Sequence, residues 1–578
     1  MQYLPTLRAH PTRQRLILVW LVLMAGCGLL ILNLVRLQVF QASNLIARAK
    51  QQQTTYLRPF IPRRSIMDRN GNVLAIDQPA YTLYAHPWLF KDHKAEVAQK
   101  LAPILSTSAT EILTRFNSAD SGIKLEESLR EDVAHRIKNL MIDGLDLEEG
   151  QQRLYPQQDL MANVVGYVDV EQTAQAGIEY SFRHLLEQSP KAVRLNRTGL
   201  GTLLPEGVPD GFIYQDDLHL QLTIDSRLQR AIAPVLSKQV QAFHAKRGLV
   251  LVMDSQDGSL RAMVAVPTFD PNRYFETKDI SVFKNWALTD LYEPGSTFKP
   301  IVVAMALESG AIKATDSFYD SGYIELEGWP IYNSNREAHG SLSLTDIVKY
   351  SSNIGMVHIG QAMKPEVYYN WLERIGLGQK TGIDLPFEAL GLMHSHQKFV
   401  QSPLDRATTS FGQGFSLTPL QLLKLHGMLA SGGKMLTPHV VQGLYDNDGK
   451  VYWEPKRAMP KQIFSPQTTQ AVLQMMEATV REGTGKTAQI EGYRVAGKTG
   501  TAQKAGDRGY IDGAYITSFV SIFPADNPRY VVLAVIDEPQ GQAYGSTTAA
   551  PIVKDVLTIL AGLDKLAPDA KSESESVP

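Results

Sequence analysis

Tyr292-Glu293-Pro294-Gly295-Ser296-Thr297-Phe298-Lys299-Pro300, followed by Ile301-Val302-Val303-Ala304-Met305-Ala306-Leu307, is the stretch on which the reading of this chain turns. Pro294-Gly295 interrupts the chain, and a continuously apolar run then begins. Such a run predicts a helix buried on all sides. Ser296 falls at the start of that helix, where free backbone N–H groups and the helix dipole favour developing negative charge. Lys299 follows one turn later, so its amine can reach the hydroxyl. A neutral lysine there can act as a base and turn the serine into a nucleophile. Pro300 is tolerated because it lies within the first turn.

Ser-x-x-Lys alone selects nothing, since it begins at Ser121, Ser281, Ser296, Ser395 and Ser431. Only Ser296 has a chain break before it and a buried helix after it. Ser431-Gly432-Gly433-Lys434, by contrast, is a glycine loop. Ser-x-Asn occurs once, at Ser351-Ser352-Asn353, after the helical stretch Leu344 to Tyr350. A hydroxyl and an amide at that spacing suit a turn between helices facing a cleft. Lys-Thr-Gly occurs twice. Lys380-Thr381-Gly382 follows two glycines in a loop and reads as structural. Lys498-Thr499-Gly500-Thr501 follows Tyr493 to Gly497, an alternating run that predicts a strand. A strand edge can take up an extended peptide as a further strand.

Outward from these motifs, Leu218 to Ile224 alternates with period two and predicts a strand. Asp225 is placed to cap a helix through Leu228 and Val235. Gly248–Met253 and Leu260–Val266, joined by a turn at Asp254 to Gly258, read as a hairpin of buried strands. Ser518–Phe523 and Tyr530–Ile536 add two strands, and Ile552 to Leu563 a closing helix. Strands thus bracket a helix-rich middle. The expected fold is α+β, an antiparallel sheet flanked by helices.

The chain has 578 residues, with 57 Lys plus Arg against 59 Asp plus Glu. No basic excess marks a nucleic-acid interface. Leu16 to Val35 carries no charged residue and is long enough to span a bilayer. Arg8, Arg13 and Arg15 before it place the short N-terminus in the cytoplasm and the remainder outside. A cleaved signal peptide would have a shorter apolar core, and the nearest Ala-x-Ala, at Ala47, lies well past it. Lipid attachment at Cys27 would end the apolar run there, yet the run continues. Cys27 is the only cysteine, so no disulfide or cysteine metal site is expected outside the membrane. The 13 histidines show no ligand spacing, and no metal or other cofactor is expected. From Leu37 to Asp216 the chain is mixed, with strand-like runs such as Tyr81 to Ala85 and no catalytic constellation.

Ser296-x-x-Lys299, Ser351-x-Asn353 and Lys498-Thr499-Gly500, in that order, match the motif set of penicillin-binding proteins and class A β-lactamases. The chain resembles the class B penicillin-binding proteins, membrane-anchored D,D-transpeptidases, and is most similar to their division-specific FtsI type. Arg63 to Gly71, Arg153-Leu154-Tyr155-Pro156 and Gly177-Ile178-Glu179 resemble family blocks in the front module. Phe269-Asp270-Pro271-Asn272, Gly412-Gln413-Gly414 and Thr418-Pro419-Leu420-Gln421 do so in the catalytic part. Arg64 and Gln158 stand where the family has glycine, and Trp286 where it often has arginine.

The resemblance implies a cytoplasmic segment (1–15), a transmembrane helix (16–36) and an elongated mixed α/β module of pedestal or dimerisation type (37–216). A serine β-lactamase-like transpeptidase domain (217–563) and a disordered tail (564–578) follow. It implies that Ser296 attacks the penultimate D-alanine of a stem peptide, with Lys299 as base and Ser351 relaying a proton to the leaving amine. Asn353 would orient Lys299 and hold a substrate amide. Lys498, Thr499 and Thr501 would bind the terminal carboxylate. Gly500 counts with Thr499 and Thr501 as substrate-binding, and the N–H groups of Ser296 and Thr501 would form the oxyanion hole. β-Lactams should acylate Ser296. An FtsW-type glycosyltransferase and divisome membrane proteins are the implied partners, and the division septum in the inner membrane the implied place.

Other readings use the same residues. A β-lactamase would lack the anchor and front module. A bifunctional synthase would need a longer front module. A β-lactam sensor coupled to a zinc protease would carry His-Glu-x-x-His, which is absent. A catalytically idle scaffold would not need all three motifs. An elongation-type enzyme often carries Ser-Cys-Asp where this chain has Ser351-Ser352-Asn353.

Overall fold

The computed structural model describes residues 11–57, 61–188, 193–196, 216–506 and 509–568. They fall into two compact units: residues up to 61 with 189–216, and residues 62–188 with 217 onward. Of the tail expected to be disordered over 564–578, residues 569–578 lie outside the described residues, as does Arg8, expected in the cytoplasm. The stretch from Asp564 to Leu566 is instead held by the fold, Leu566 N–H donating to the Ala561 carbonyl at 3.0 Å and its own carbonyl accepting from the Tyr493 hydroxyl at 2.9 Å.

The first unit contains helix α1 (Pro11–Val35). Its apolar character runs on, giving a 28-residue helical stretch from Arg13 to Phe40 with mean hydropathy 2.5 and no buried surface. At about 1.5 Å per residue this exceeds the ~30 Å bilayer core. It has the length and exposure of the expected membrane anchor. Thr54–Leu57 pairs antiparallel with Val193–Asn196 in the same unit.

The second unit is built on a five-stranded antiparallel sheet. Its strands are β1 (Arg247–Asp254), β2 (Leu260–Val266), β3 (Ala496–Gly506), β4 (Gly509–Phe523) and β5 (Tyr530–Asp537), in the order β3-β4-β5-β1-β2. Seven further helices matter here: α2 (Ser226–Ala242), α3 (Lys299–Glu308), α4 (Leu344–Tyr350), α5 (Asn353–Ala362), α6 (Pro419–Ala430), α7 (Pro466–Glu482) and α8 (Gly545–Leu563). Alternation along the strands sends Val250, Val252, Val532 and Ala534 to one face, where α2 and α8 cover them. Leu249, Leu251, Val531 and Leu533 go to the other, against α3 and α6. Both faces are covered, so these strands read as continuous apolar runs. Helix α8 is also long and apolar, with mean hydropathy 1.2, but half its apolar window is buried. It is a core helix.

Asp225 caps α2, its carboxylate accepting from Arg227 N–H. The run from Lys299 to Ala306 is buried at every position, as its lack of amphipathicity requires. Each such Ile or Val contributes roughly 1.5–3 kcal/mol by burial, so α3 is fixed from all sides. The strand expected from Tyr493 begins only at Ala496. Tyr493 and Val495 alternate because both pack toward the α2–α8 layer, Tyr493 against Phe523, without pairing to a neighbour strand. Lys498 consequently sits inside β3.

A second sheet runs through both halves of this unit. Ser65–Met67 pairs in parallel with His219–Leu222 and antiparallel with Val73–Ala85, which also pairs with Ile123–Leu129 and Leu145–Leu154. The boundary expected at 216/217 therefore falls beside a strand bonded to the front module. Arg153 is buried in that module with Asp77 at 3.0 Å and Glu179 at 2.7 Å, and it donates to the Arg64 carbonyl at 3.0 Å. The Arg64 guanidinium turns to the Leu185 carbonyl. Gln158 occupies a left-handed conformation, φ +53°, which accounts for glycine at this place in the family pattern.

Candidate active site

The turn bearing Ser296 is a single 3₁₀ turn, Gly295–Phe298, that runs directly into α3. Thr297 ties it down, its hydroxyl donating to the Pro294 carbonyl at 2.7 Å. From α6, His426 Nε2 contacts the Thr297 carbonyl at 2.9 Å. Burial pushes His426 down to about 4, so the ring is neutral and Nε2–H is the donor. Gly295 N–H donates to the Gly412 carbonyl at 2.9 Å. Gly412 has φ +87°, and a Cβ there would lie 2.0 Å from the Gly295 carbonyl oxygen. Only glycine fits, which gives Gly412-Gln413-Gly414 its physical meaning.

Ser351 ends α4 in the left-handed conformation, φ +62°, which costs a non-glycine residue about 1–2 kcal/mol. The reversal aims its hydroxyl at Ser296, at 3.0 Å. Ser352 then caps α5, accepting from Gly355 N–H. Lys299 is fully buried. Its Nζ donates to the Ser351 carbonyl at 2.6 Å and to Asn353 Oδ1 at 2.7 Å, and lies 3.1 Å from Ser351 Oγ. Lys498 is also fully buried, and its Nζ reaches the same Ser351 Oγ at 3.0 Å and the Thr499 carbonyl at 3.2 Å. Asn353 Nδ2 donates to the Tyr332 carbonyl at 2.8 Å, leaving one amide proton available.

Burial drives both lysines toward neutrality. It holds Lys299 well below its ordinary value; the charge of Lys498 adds to the effect and that of Asp320 opposes it. Burial alone brings Lys498 down to about 7. A neutral Lys299 has two protons. The Ser351 carbonyl and Asn353 Oδ1 can only accept and take both, so the lone pair faces Ser351 Oγ.

Strand β3 is an edge of its sheet, so one side of its backbone is unpaired. Gly500 lies against the nucleophile turn: a Cβ there would meet Ser518 Oγ at 2.5 Å and Thr297 Cγ2 at 2.9 Å. The Thr499 hydroxyl donates to Thr484 Oγ1 at 3.1 Å. The exposed Thr501 accepts from Gly545 N–H at 3.1 Å, which leaves its own proton to donate. Hydrogen bonds thus join Ser296, Lys299, Ser351, Asn353, Lys498 and Thr499, while Gly500 and Thr501 line the adjoining edge. Lys380-Thr381-Gly382 is elsewhere; its Thr381 N–H is held by Glu388 at 2.6 Å. Of the other Ser-x-x-Lys serines, Ser395 is the cap of a short helix and Ser431 donates to the Lys434 carbonyl.

Residues 248–558 match the family model of the penicillin-binding protein transpeptidase domain, and residues 61–185 that of the penicillin-binding protein dimerisation domain. The chain belongs to the penicillin-binding protein transpeptidases. It is 39% identical to the "Peptidoglycan D,D-transpeptidase FtsI homolog" of Mesostigma viride, over 96% of each chain. It is 29% identical to "Peptidoglycan D,D-transpeptidase FtsI" of Escherichia coli, over 95% of this chain and 92% of that one. Among solved structures, penicillin binding protein 3 of Mycobacterium tuberculosis complexed with aztreonam superposes with a TM-score of 0.68 at 26% identity, covering 90% of this chain and 99% of that one. In this penicillin-binding transpeptidase the three motifs come from three separate places: the start of α3, the α4–α5 turn and the edge strand β3.

Sequence reasoning did not find Asn333, Thr484, His426 or Asp320, which hold the motif residues from behind. Each is a single polar residue with no local pattern around it.

Proposed function

We propose that this chain is a peptidoglycan D,D-transpeptidase that works through a Ser296 acyl-enzyme and is acylated by β-lactams at the same atom. The observation that carries the reading is the Ser296–Ser351 contact with both buried lysines converging on Ser351. A donor stem extends along the free edge of β3, its terminal carboxylate held by Lys498, Thr499 and Thr501. Ser296 Oγ attacks the carbonyl of the penultimate D-alanine, and its proton passes through the Ser351 hydroxyl to neutral Lys299. The oxyanion forms against the N–H groups of Ser296 and Thr501. The C–N bond breaks, and the departing D-alanine nitrogen takes the proton back by way of Ser351, leaving an ester. The amine of a second stem then attacks the ester, giving the cross-link and restoring the serine. Asn353 holds Lys299 in place and offers its remaining amide proton to the substrate.

The relatives named FtsI favour a septal role, with α1 as the anchor, the N-terminus cytoplasmic and the catalytic domain outside. In that setting an FtsW-type glycosyltransferase supplies nascent glycan, and divisome membrane proteins are the neighbours. Incubation of the purified full chain with a pentapeptide donor and a D-amino acid acceptor tests the chemistry. Exchange of the terminal D-alanine is expected from the wild type and not from Ser296→Ala. A fluorescent fusion confined to side walls would contradict the septal role.

A further inference from the structure

Asp320 is a fully buried carboxylate outside all three motifs. It ends the strand Ser317–Asp320. Its hydrogen bonds all come from neutral groups. Gly322 N–H reaches Oδ1 at 2.8 Å, Asn333 Nδ2 reaches both oxygens at 2.8 Å, and the Ser352 hydroxyl reaches Oδ2 at 2.7 Å. A buried carboxylate without a bonded cation is costly, so its presence calls for a reason.

The reason lies in what those partners hold. Asn333 Oδ1 accepts from Asn353 N–H at 2.8 Å, and Asn353 Oδ1 accepts from Lys299 Nζ at 2.7 Å. Ser352 stands between Ser351 and Asn353 and caps α5. The two side chains bonded to Asp320 are therefore the two that fix the turn carrying Ser351 and Asn353. The charged groups facing Lys299 are Lys498 from β3 and Asp320 from the layer behind; Ser351 and Asn353 supply only neutral contacts.

We infer that Asp320 is a positioning residue for acylation: its carboxylate sets the Ser351–Asn353 turn through Ser352 and Asn333, and its negative charge faces the buried Lys299. This rests on Lys299 being the base. Burial and Lys498 favour the neutral amine, and Asp320 alone among the charged groups favours the ammonium. Asp320 thereby keeps Lys299 able to hold the proton it takes from Ser296 until the leaving nitrogen needs it.

The test is the pH profile of the second-order rate of acylation by labelled penicillin, measured on the full chain in detergent. Asp320→Asn keeps the shape and removes the charge; its Oδ1 can accept from Gly322 and Asn333 and its Nδ2 can donate to Ser352, while the second contact with Asn333 Nδ2 is lost. Its acid limb is expected to move to lower pH by roughly one unit. Ser352→Ala keeps the charge and loosens the turn, so its rate should fall at every pH with the limb in place. If Asp320→Asn does not fold, Asp320→Ser, which leaves room for water at the acceptor positions, carries the same expectation. A limb that stays at the wild-type pH in the neutral variant overturns the electrostatic role and leaves a structural residue only. Labelling of Ser296→Ala would instead overturn the acyl-enzyme reading on which the inference rests.

Discussion

The amines of Lys299 and Lys498 converge on one and the same oxygen, the Ser351 hydroxyl, at 3.1 and 3.0 Å. Two ammonium groups on a single buried oxygen repel each other, so the arrangement favours neutrality of at least one. Ser351 is the junction of the site. Ser351→Ala removes the bridge to Ser296 and the shared acceptor together. Acylation by labelled penicillin should fall by about 10²–10⁴-fold, with the thermal midpoint within a few degrees of wild type, because Ser351 ends a helix and its side chain bonds only within the site. Stopped-flow labelling with a melt on the same sample checks both.

The lysines also shape stability. Lys498, brought down to about 7 from an ordinary 10.5, binds fewer protons folded than unfolded between those values. Its contribution is therefore least favourable below pH 7 and becomes more favourable as pH rises toward 10.5. Denaturation of wild type and Lys498→Met at pH 7 and pH 9 should show wild type gaining roughly 1–2 kcal/mol relative to the variant. A constant difference between the two would argue against a neutral Lys498.

The two Lys-Thr-Gly copies should separate cleanly. Lys498→Ala is expected to abolish penicillin labelling. Lys380→Ala should leave its rate within about twofold, since that copy lies in a loop whose Thr381 is bonded to Glu388.

Gln158 offers a stabilising change. Its left-handed backbone, φ +53°, is one that glycine adopts without steric cost. Gln158→Gly should raise stability by about 0.5–1 kcal/mol, seen as a higher denaturation midpoint with an unchanged acylation rate.

The chemistry was legible because it is carried by short motifs whose flanks also speak. Pro294-Gly295 and the apolar run after Lys299 mark a serine entering a buried helix, and that is where Ser296 stands. The β1–β2 hairpin, β5 and the end of β4 from Ser518 were legible because both faces of the sheet are covered there, which makes plain apolar runs; β4 from Gly509 to Tyr515 is largely exposed and carries no such run. The start of β3 was misread. Tyr493 and Val495 alternate for packing reasons alone, and alternation does not distinguish packing from pairing. The supporting shell was not legible at all. Asp320 and Asn333 are 13 residues apart and meet because the hairpin Tyr323–Tyr332 is enclosed by the pairing of Ser317–Asp320 with Gly340–Ser343. A lone aspartate at a strand end has no period and no motif, and its importance depends wholly on being buried.

Mass spectrometry of the penicillin-labelled, protease-digested full chain tests the central claim most directly. A single adduct is expected on the peptide containing Ser296, located on that side chain by fragmentation and absent from Ser296→Ala. An adduct on any other residue, or undiminished labelling of Ser296→Ala, would contradict it.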